Sequence, residues 1–469
     1  MDETIKIEGN WQIRKSGGYD INRDFPGLLT VKPYDYAVLE CSIFRSGADG
    51  IGADRVYSPD GSKYCIINRV PLISGRGING SEITLVNNRM VYKERLHSFP
   101  GREDSDSNIL FLPEIVIDGY NFKDNDEIKF CRVVLVPDDF VNWVGFGHFS
   151  GDGDNGIIIY SSRDFKIKIK VCGGESEYNL VIEYPEEKIL TDIISDLQVI
   201  QNMITFFMNK PAFFISITGE HEKNPYLSDY AGEKIMSSCT IYFNNNRLTN
   251  RKFTDYSRYG SFLISFDELE DFSGDIIGRW REFCENYVSM VRLYFSVVFN
   301  PEMYTENVFL GFTECIEIYH RKNDYFKDYT TDPEEYKERT DAVKRLLGEK
   351  HIFTKKVRES IVNTLKFGNK PNLENRLNDI CDHFGVYLEA HIPDFKEFSS
   401  AVSVNRNYIA HRDAKEDFSY AEGTELCGFV AKLEMVIYVI FLHECGFEPE
   451  FIKIALSRFM KRKALECFG

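Results

Sequence analysis

What this chain lacks narrows its class before any motif is read. Its 469 residues include only three tryptophans, nine histidines and fifteen prolines. None of its eleven cysteines forms a C-x-x-C pair, and their number is odd. A disulfide framework or a structural zinc site needs paired or clustered ligands, so reduced thiols and no metal or other cofactor are expected. No leader-like stretch stands out, which together with the thiols predicts a cytoplasmic protein. The longest apolar run, Met435 to Leu442, falls well short of the ~20 residues of a membrane span, so no membrane partner is expected. Positive charge is in deficit too: 56 Lys and Arg face 73 Asp and Glu, a net charge of −17. A wholly acidic surface repels polyanions, which argues against a nonspecific nucleic-acid binder.

The deficit is uneven. Residues 1–300 hold 32 Lys and Arg against 44 Asp and Glu, whereas residues 301–469 hold 24 against 29. The rear of the chain is therefore closer to neutral and has room for a local basic groove. The length suits two or three domains, each with its own core.

The hydrophobic pattern changes along the chain. Up to about residue 270, short runs such as "YAVLECSIF", "YCIINRVPLI", "EIKFCRVVLV" and "FKIKIKVC" alternate with Gly, Asn, Asp and Pro. That spacing predicts one or two sandwich- or barrel-like domains. A helix interrupts them in "TDIISDLQVIQNMITFFMNK", with Thr191 or Asp192 as the expected cap, and strands resume at "AFFISITG" and "CTIYF". The stretch "SGDGDNG" at 150–156 is a candidate seam between a β-rich part, 1–150, and a second β-rich or mixed part, 151–272.

From 273 to 469 the period is helical. "SGDIIGRWREFCENYVSMVRLYFSVVF" reads as one long helix and "TENVFLGFTECIEIYHRKNDYF" as another. In "TDPEEYKERTDAVKRLL", Asp332 is placed to cap a helix with Pro333 first and Glu335 third. "NLENRLNDICDHFG" puts Leu373, Leu377, Ile380 and Phe384 on one face, with Gly385 expected to end the helix. A helix near Thr424 to Cys445 is apolar nearly all round from Leu433 to Leu442, as the central helix of a bundle would be. The expected fold class is α+β, a β-rich front followed by an α-helical bundle.

Two glycine-rich matches do not carry chemistry. "GRGING" at 75–80 fits G-x-G-x-x-G, but the strand-like "SEITLVNN" follows it where a dinucleotide site needs a helix. A hairpin loop is expected. "SGDGDNG" lacks the order of aspartates, glycine and closing glutamate of an EF-hand.

The stretch "VSVNRNYIAHRDAKEDF" at 402–418 is different. Phe395, Phe398, Val402 and Ile409 fall on one side of a helix, Arg406 lies at the edge of that stripe, and Asn407 and His411 lie farther round, about 40° apart. At a helix C-terminus the dipole favours imidazolium by up to ~1 kcal/mol. Read alone, the trio is either a solvated helix end or a site.

"RNYIAH" resembles the R-N-x-x-x-H motif of HEPN domains, helical bundles rich in RNA-cleaving enzymes of defence systems. "FLGFTECIEIYHR" (309–321) and "NLENRLNDICDHFG" are similar to two further helices of the ApeA-like HEPN branch, and the apolar helix after the motif is similar to its closing helix. "GNWQI", "PGLLTV", "GSEITLV" and "VIDGYNFKDNDEIKF" resemble the ApeA N-terminal domain. The family's "ALE" reads "ECIE" here, with Glu317 at the acid position.

The resemblance implies an antiphage HEPN endoribonuclease with Arg406, Asn407 and His411 as catalytic residues. It implies metal-independent cleavage to a 2′,3′-cyclic phosphate and a 5′-hydroxyl, and a site completed by a symmetric homodimer or higher oligomer. RNA, with transfer RNA one candidate, and a phage-encoded trigger sensed by the front region would be the partners. Glu317 and Arg321 form an i, i+4 pair that is either a solvated ion pair or part of the cleft beside His411. Lys355, Lys356 and Arg358, and Arg458 with Lys461 to Lys463, are either RNA-backbone contacts or ordinary charged surface. The competing reading is a non-catalytic HEPN scaffold that only dimerises and binds.

Overall fold

The computed structural model describes the chain except residues 1–3, 15–23, 34, 43–53, 58–62, 95–106, 146–155, 173–176, 223–235, 245–247, 250–261, 272–274, 327–328, 350–352, 367, 412–419 and 469. It divides into two compact units, Met1–Asp255 with Ser265–Glu270, and Tyr256–Ile264 with Asp271–Gly469. The candidate seam at 150–156 lies almost wholly outside the described residues.

The first unit contains β1 (Ile5–Ile13), β2 (Asp24–Lys32), β3 (Tyr36–Ser42), β4 (Asp54–Tyr57), β5 (Lys63–Gly77), β6 (Glu82–Glu94), β7 (Ser107–Leu112), β8 (Ile115–Asp118) and β9 (Lys129–Pro137). After a short helix α1 (Phe140–Val144) come β10 (Ile157–Ser161), β11 (Lys166–Cys172), β12 (Glu177–Ile189), the helix α2 (Leu190–Met208), β13 (Phe214–Glu222) and β14 (Met236–Phe243). Six of the strands close on themselves in the order β6–β7–β3–β2–β1–β5 and back to β6, an antiparallel barrel. Alternate residues fill it: Trp11, Leu29, Leu39, Ile73, Leu85 and Phe111 are fully buried. Gly75 leaves the space that the Trp11 ring occupies.

Of the remaining strands, β4 pairs with β5, and the other seven continue from β6 as an arm, β8–β14–β13–β9–β12–β11–β10. On the edge away from β5, β6 therefore serves two partners. Ile83–Val86 pairs with β8, and Arg89–Glu94 pairs with β7. Between them Asn87 takes φ 53°, a left-handed conformation that Asn tolerates better than branched residues. The buried Asn88 then donates its amide to the Val70 and Leu85 carbonyls, at 3.1 and 2.9 Å.

The helix expected within this region is α2, which packs on β12 and buries Ile193, Leu197, Ile200, Ile204 and Phe207. Its cap is not the expected Thr191 or Asp192. β12 runs straight into the helix at Ile189, and the Leu190 N–H donates to the Ile128 carbonyl at 3.0 Å, so no side-chain cap is used. "GRGING" forms the β5–β6 hairpin, closed by Gly77 N–H to the Ser81 carbonyl at 2.8 Å with Gly80 at φ 87°.

All but the last residue of α3 (Phe266–Asp271) belongs to the first unit, and the second contains α4 (Ile276–Asn286), α5 (Val288–Val298), α6 (Thr305–Lys322), α7 (Pro333–Glu349), α8 (Lys355–Leu365), α9 (Leu373–His383), α10 (Gly385–Leu388), α11 (Phe395–His411), α12 (Gly423–Glu444) and α13 (Pro449–Phe468). The single long helix expected over 273–299 is two. The chain breaks at Tyr287, φ −116° and ψ 37°, which carries that ring inward against Phe283 and Tyr319. Asp332 caps α7 as expected, accepting from Glu334 and Glu335 N–H at 3.0 and 3.2 Å. Leu373, Leu377, Ile380 and Phe384 are all buried, but Gly385 does not end the helical run: without a positive φ it opens α10.

α6 packs against α5, α9, α11 and α12, so it is central with α12. Leu433–Leu442 of α12 is buried on every side, and the one charge in it, Glu434, pairs with Lys463 at 2.9 Å. Gly423–Glu444 is the one helix among the described residues long and apolar enough to cross a membrane, and 61% of its apolar window is buried inside the bundle. That burial is what a core helix shows. α13, which the sequence reading did not separate, packs along α12.

Candidate active site

α11 carries the motif, and its apolar stripe does its packing. Phe398 and Val402 are buried, at 5% and 0% exposure, and the next inward position is taken by Asn405 at 3%. Arg406 is half-buried, while Asn407 and His411 are exposed. Arg406 donates from Nη1 to Asn407 Oδ1 at 3.3 Å. His411 is the last residue of α11, one turn beyond Asn407. The helix thus presents a guanidinium, an amide and an imidazole on the side its core stripe leaves free.

The other candidates fall elsewhere. Glu317 and Arg321 form an ion pair with each other along α6. Among the described residues no hydrogen bond or ion pair joins either of them to Arg406, Asn407 or His411. Lys355 and Lys356 are exposed and Arg358 half-buried on α8, with Lys355 3.9 Å from Glu359. Lys355 and Arg358 border a shallow recess of about 340 Å³. In the second basic cluster, Arg458 donates to the Leu263 carbonyl at 3.0 Å and Lys463 is held by Glu434. Those two charges are engaged within the bundle, whereas Lys461 is exposed.

Three features escaped the sequence reading. Asn405 donates to the Ala401 carbonyl at 2.9 Å and accepts from the Ala421 N–H at 2.7 Å. Tyr408 stacks on Tyr420, with ring centroids 3.7 Å apart and planes 15° apart. The third joins the two family-like helices: His320 of α6 is bonded through Nδ1 to Arg376 Nη1 at 2.9 Å and through Nε2 to Asp379 Oδ2 at 3.0 Å. Arginine only donates, so Nδ1 accepts and the ring hydrogen sits on Nε2, directed at Asp379. Arg376 is itself 3% exposed and also donates to the Pro371 carbonyl. A signal for this network was present. Arg376 interrupts the inward stripe of Leu373, Leu377 and Ile380, and an inward arginine needs a buried partner.

No activated thiol competes with the motif among the described cysteines whose ionisation is perturbed. Burial pushes Cys41, Cys239 and Cys381 up to about 12.

Comparison with known families decides the class. The ApeA N-terminal domain 1 profile matches residues 6–280, more than half of the chain, and the Apea-like HEPN profile matches residues 310–451. The chain belongs to the ApeA-like HEPN family. The β-rich front and helical rear are the fold class read from the sequence. The HEPN match runs from α6 into α13, so it includes the His320–Arg376 network and the whole of the Arg406–His411 motif. HEPN domains are generally those of ribonucleases, and the ApeA-like branch is associated with antiphage defence. Neither a curated protein nor a solved structure matches the chain significantly.

Proposed function

We propose that this ApeA-like HEPN protein is an antiphage endoribonuclease of the abortive-infection type, with Arg406, Asn407 and His411 as its catalytic residues. One observation carries the reading. Within the HEPN match, α11 buries its apolar side and leaves those three polar groups on the other, with Arg406 and Asn407 hydrogen-bonded at 3.3 Å.

The chemistry follows from the side chains. Cleavage of RNA through its own 2′-hydroxyl requires a proton to leave that oxygen, a proton to reach the departing 5′-oxygen, and stabilisation of charge on a five-coordinate phosphorus. Imidazole exchanges protons near neutral pH. Guanidinium stays charged and braces phosphate oxygens through paired donors. Asn407 orients Arg406 through its carbonyl oxygen and leaves its amide hydrogens for substrate. The products are a 2′,3′-cyclic phosphate and a 5′-hydroxyl. One chain supplies a single His411, so a twofold dimer that faces two motifs across one cleft completes the acid and the base. In this reading Lys355, Lys356 and Arg358 contact the RNA backbone, and Glu317 with Arg321 lines the cleft. The β-rich unit senses a phage-encoded trigger and restrains the nuclease, and transfer RNA is the favoured target, since cutting it halts translation.

The test is cleavage of total transfer RNA by the full chain in EDTA, with end-group analysis. Cleavage that survives EDTA and leaves 2′,3′-cyclic phosphate ends is expected. Strict dependence on magnesium or manganese would remove the mechanism, and an active monomer would remove the shared cleft. The scaffold reading has its own observation in its favour: Leu346, Phe353 and Val357 around the α7–α8 turn are 56%, 40% and 43% exposed, as a binding face would be. Wild-type cleavage by His411→Ala would give that reading precedence.

A further inference from the structure

We infer that Asn405 and the Tyr408–Tyr420 stack are positioning residues for the Arg406–Asn407–His411 site, an inference that rests on the nuclease reading above. The buried residues of α11 are Phe398, Ser399, Val402 and Asn405, with the half-buried Ile409 next on the same face, so Asn405 is the one amide in a largely apolar stripe. An amide there is tolerated only if its polar atoms are paired. Both are. Nδ2 donates one turn back to the Ala401 carbonyl, and Oδ1 accepts from the N–H of Ala421, sixteen residues on, a residue only 5% exposed.

Three residues farther along the same face, Tyr408 lies flat on Tyr420 at 3.7 Å. Positions 405 and 408 are thus tied to 421 and 420, two rungs running in opposite chain directions just ahead of α12. Arg406 and Asn407 lie between the rungs, and His411 lies one turn past them. The last turn of a helix ordinarily frays, because its carbonyls have no partners within the helix. Here the turn that carries the chemistry is anchored to the start of the central helix. A leucine at 405 would fill the same space but leave the rotation of α11 about its axis less well fixed. Displacement of a reacting group by about 1 Å costs on the order of a hundredfold in rate.

The experiment compares full-length wild type with Asn405→Leu, Tyr420→Leu, Tyr420→Phe and His411→Ala. Cleavage of an in vitro transcribed transfer RNA in EDTA is measured for each, with kcat and KM determined separately and melting temperature recorded. Asn405→Leu is expected to lower kcat about 10- to 100-fold, with KM within about twofold. It should lower the melting temperature as well, because the buried Ala421 N–H loses its acceptor, so kcat is read well below the melting transition. Tyr420→Leu should lower kcat about tenfold, and Tyr420→Phe, which keeps the ring, should restore it. If Asn405→Leu fails to fold, the Tyr420 pair decides alone. Wild-type kcat in both leucine variants, or a Tyr420→Leu loss that phenylalanine does not restore, overturns the positioning role. His411→Ala separates the two levels: wild-type cleavage there removes the nuclease reading itself. An inactive His411→Ala beside fully active leucine variants removes only the positioning role.

Discussion

The two units handle buried polar groups in different ways. In the β-rich unit most of them speak to backbone. Thr84 donates to the Tyr120 carbonyl and accepts from Phe122 N–H, both at 2.9 Å, and Gln201 donates to the Ala212 carbonyl at 2.9 Å. The ion pair of Lys210 with Asp139 is an exception. In the bundle some buried side chains also bond to backbone, as Asn405, Thr313 and Thr340 do, but others pair with side chains of distant elements: His320 with Arg376 and Asp379, Tyr319 with Glu444 at 2.5 Å, Glu434 with Lys463. The cause lies in secondary structure. Barrel corners and strand ends leave backbone groups that a nearby side chain can satisfy, whereas helices satisfy nearly all of their own. A polar residue bonded to backbone therefore reports a local turn of the chain, and a buried pair of side chains inside the bundle reports which helices meet.

The motif breaks the bundle's rule, because its polar groups are not used for packing, and the largest expected effect tests that. His411→Ala and Arg406→Ala should each lower RNA cleavage by about a hundred- to a thousandfold, the loss of one transition-state partner. Stability should shift by only about 0.5 kcal/mol for the exposed His411. Arg406 is half-buried and should shift somewhat more. Activity beside urea denaturation checks both, and a His411→Ala protein that loses activity only by unfolding would return the motif to the packing class.

Next in size is the network between α6 and α9. Arg376→Leu leaves the buried Nδ1 of His320 without its donor and should destabilise the protein by about 1–3 kcal/mol in urea titrations. The double variant with His320→Phe should recover part of that loss, because the orphaned acceptor is gone. If the two changes simply add, the bundle does not depend on side chains pairing with each other. Thr84→Val probes the sheet in the same way. It orphans the Phe122 N–H, and a smaller loss of about 1 kcal/mol is expected, since loop backbone can turn to another acceptor.

The smallest effect is in pH. Burial among Tyr120, Phe122 and Phe130 holds His221 below its ordinary 6.5, and burial with the neighbouring His443 does the same to His383. Both bind protons more weakly folded than unfolded, so the unfolded chain takes up more protons below about pH 6.5. Stability should fall as pH drops through that value. His221→Phe should flatten the part of the melting-temperature profile that belongs to the β-rich unit and leave the bundle's share in place.

Legibility in the sequence followed the same divide. Alternating runs gave nearly every strand, and helical periods gave most of the bundle, because burial on one face is written locally. What was not legible was closure. Nothing in β5 or β6 announces that they complete a ring, and nothing near Asn405 announces a bond to Ala421. The break at Tyr287 was hidden because residues 273–299 keep a helical period across it, and only the packing of that ring shows the need for a turn. Arg406, Asn407 and His411 stood out through resemblance to a family, whereas Arg376 could have been singled out from its place on an apolar stripe.

The double duty of β6 has a practical side. A protease cut or a gene truncation placed after β7 would keep all six barrel strands yet strip the partner from Ile83–Val86. That would open a ready edge of Ile83, Leu85 and Val86, backed by β5, to any passing strand. Shortened forms of this protein should therefore be found in aggregates, and an intact β8 should be the least removable strand of the front region.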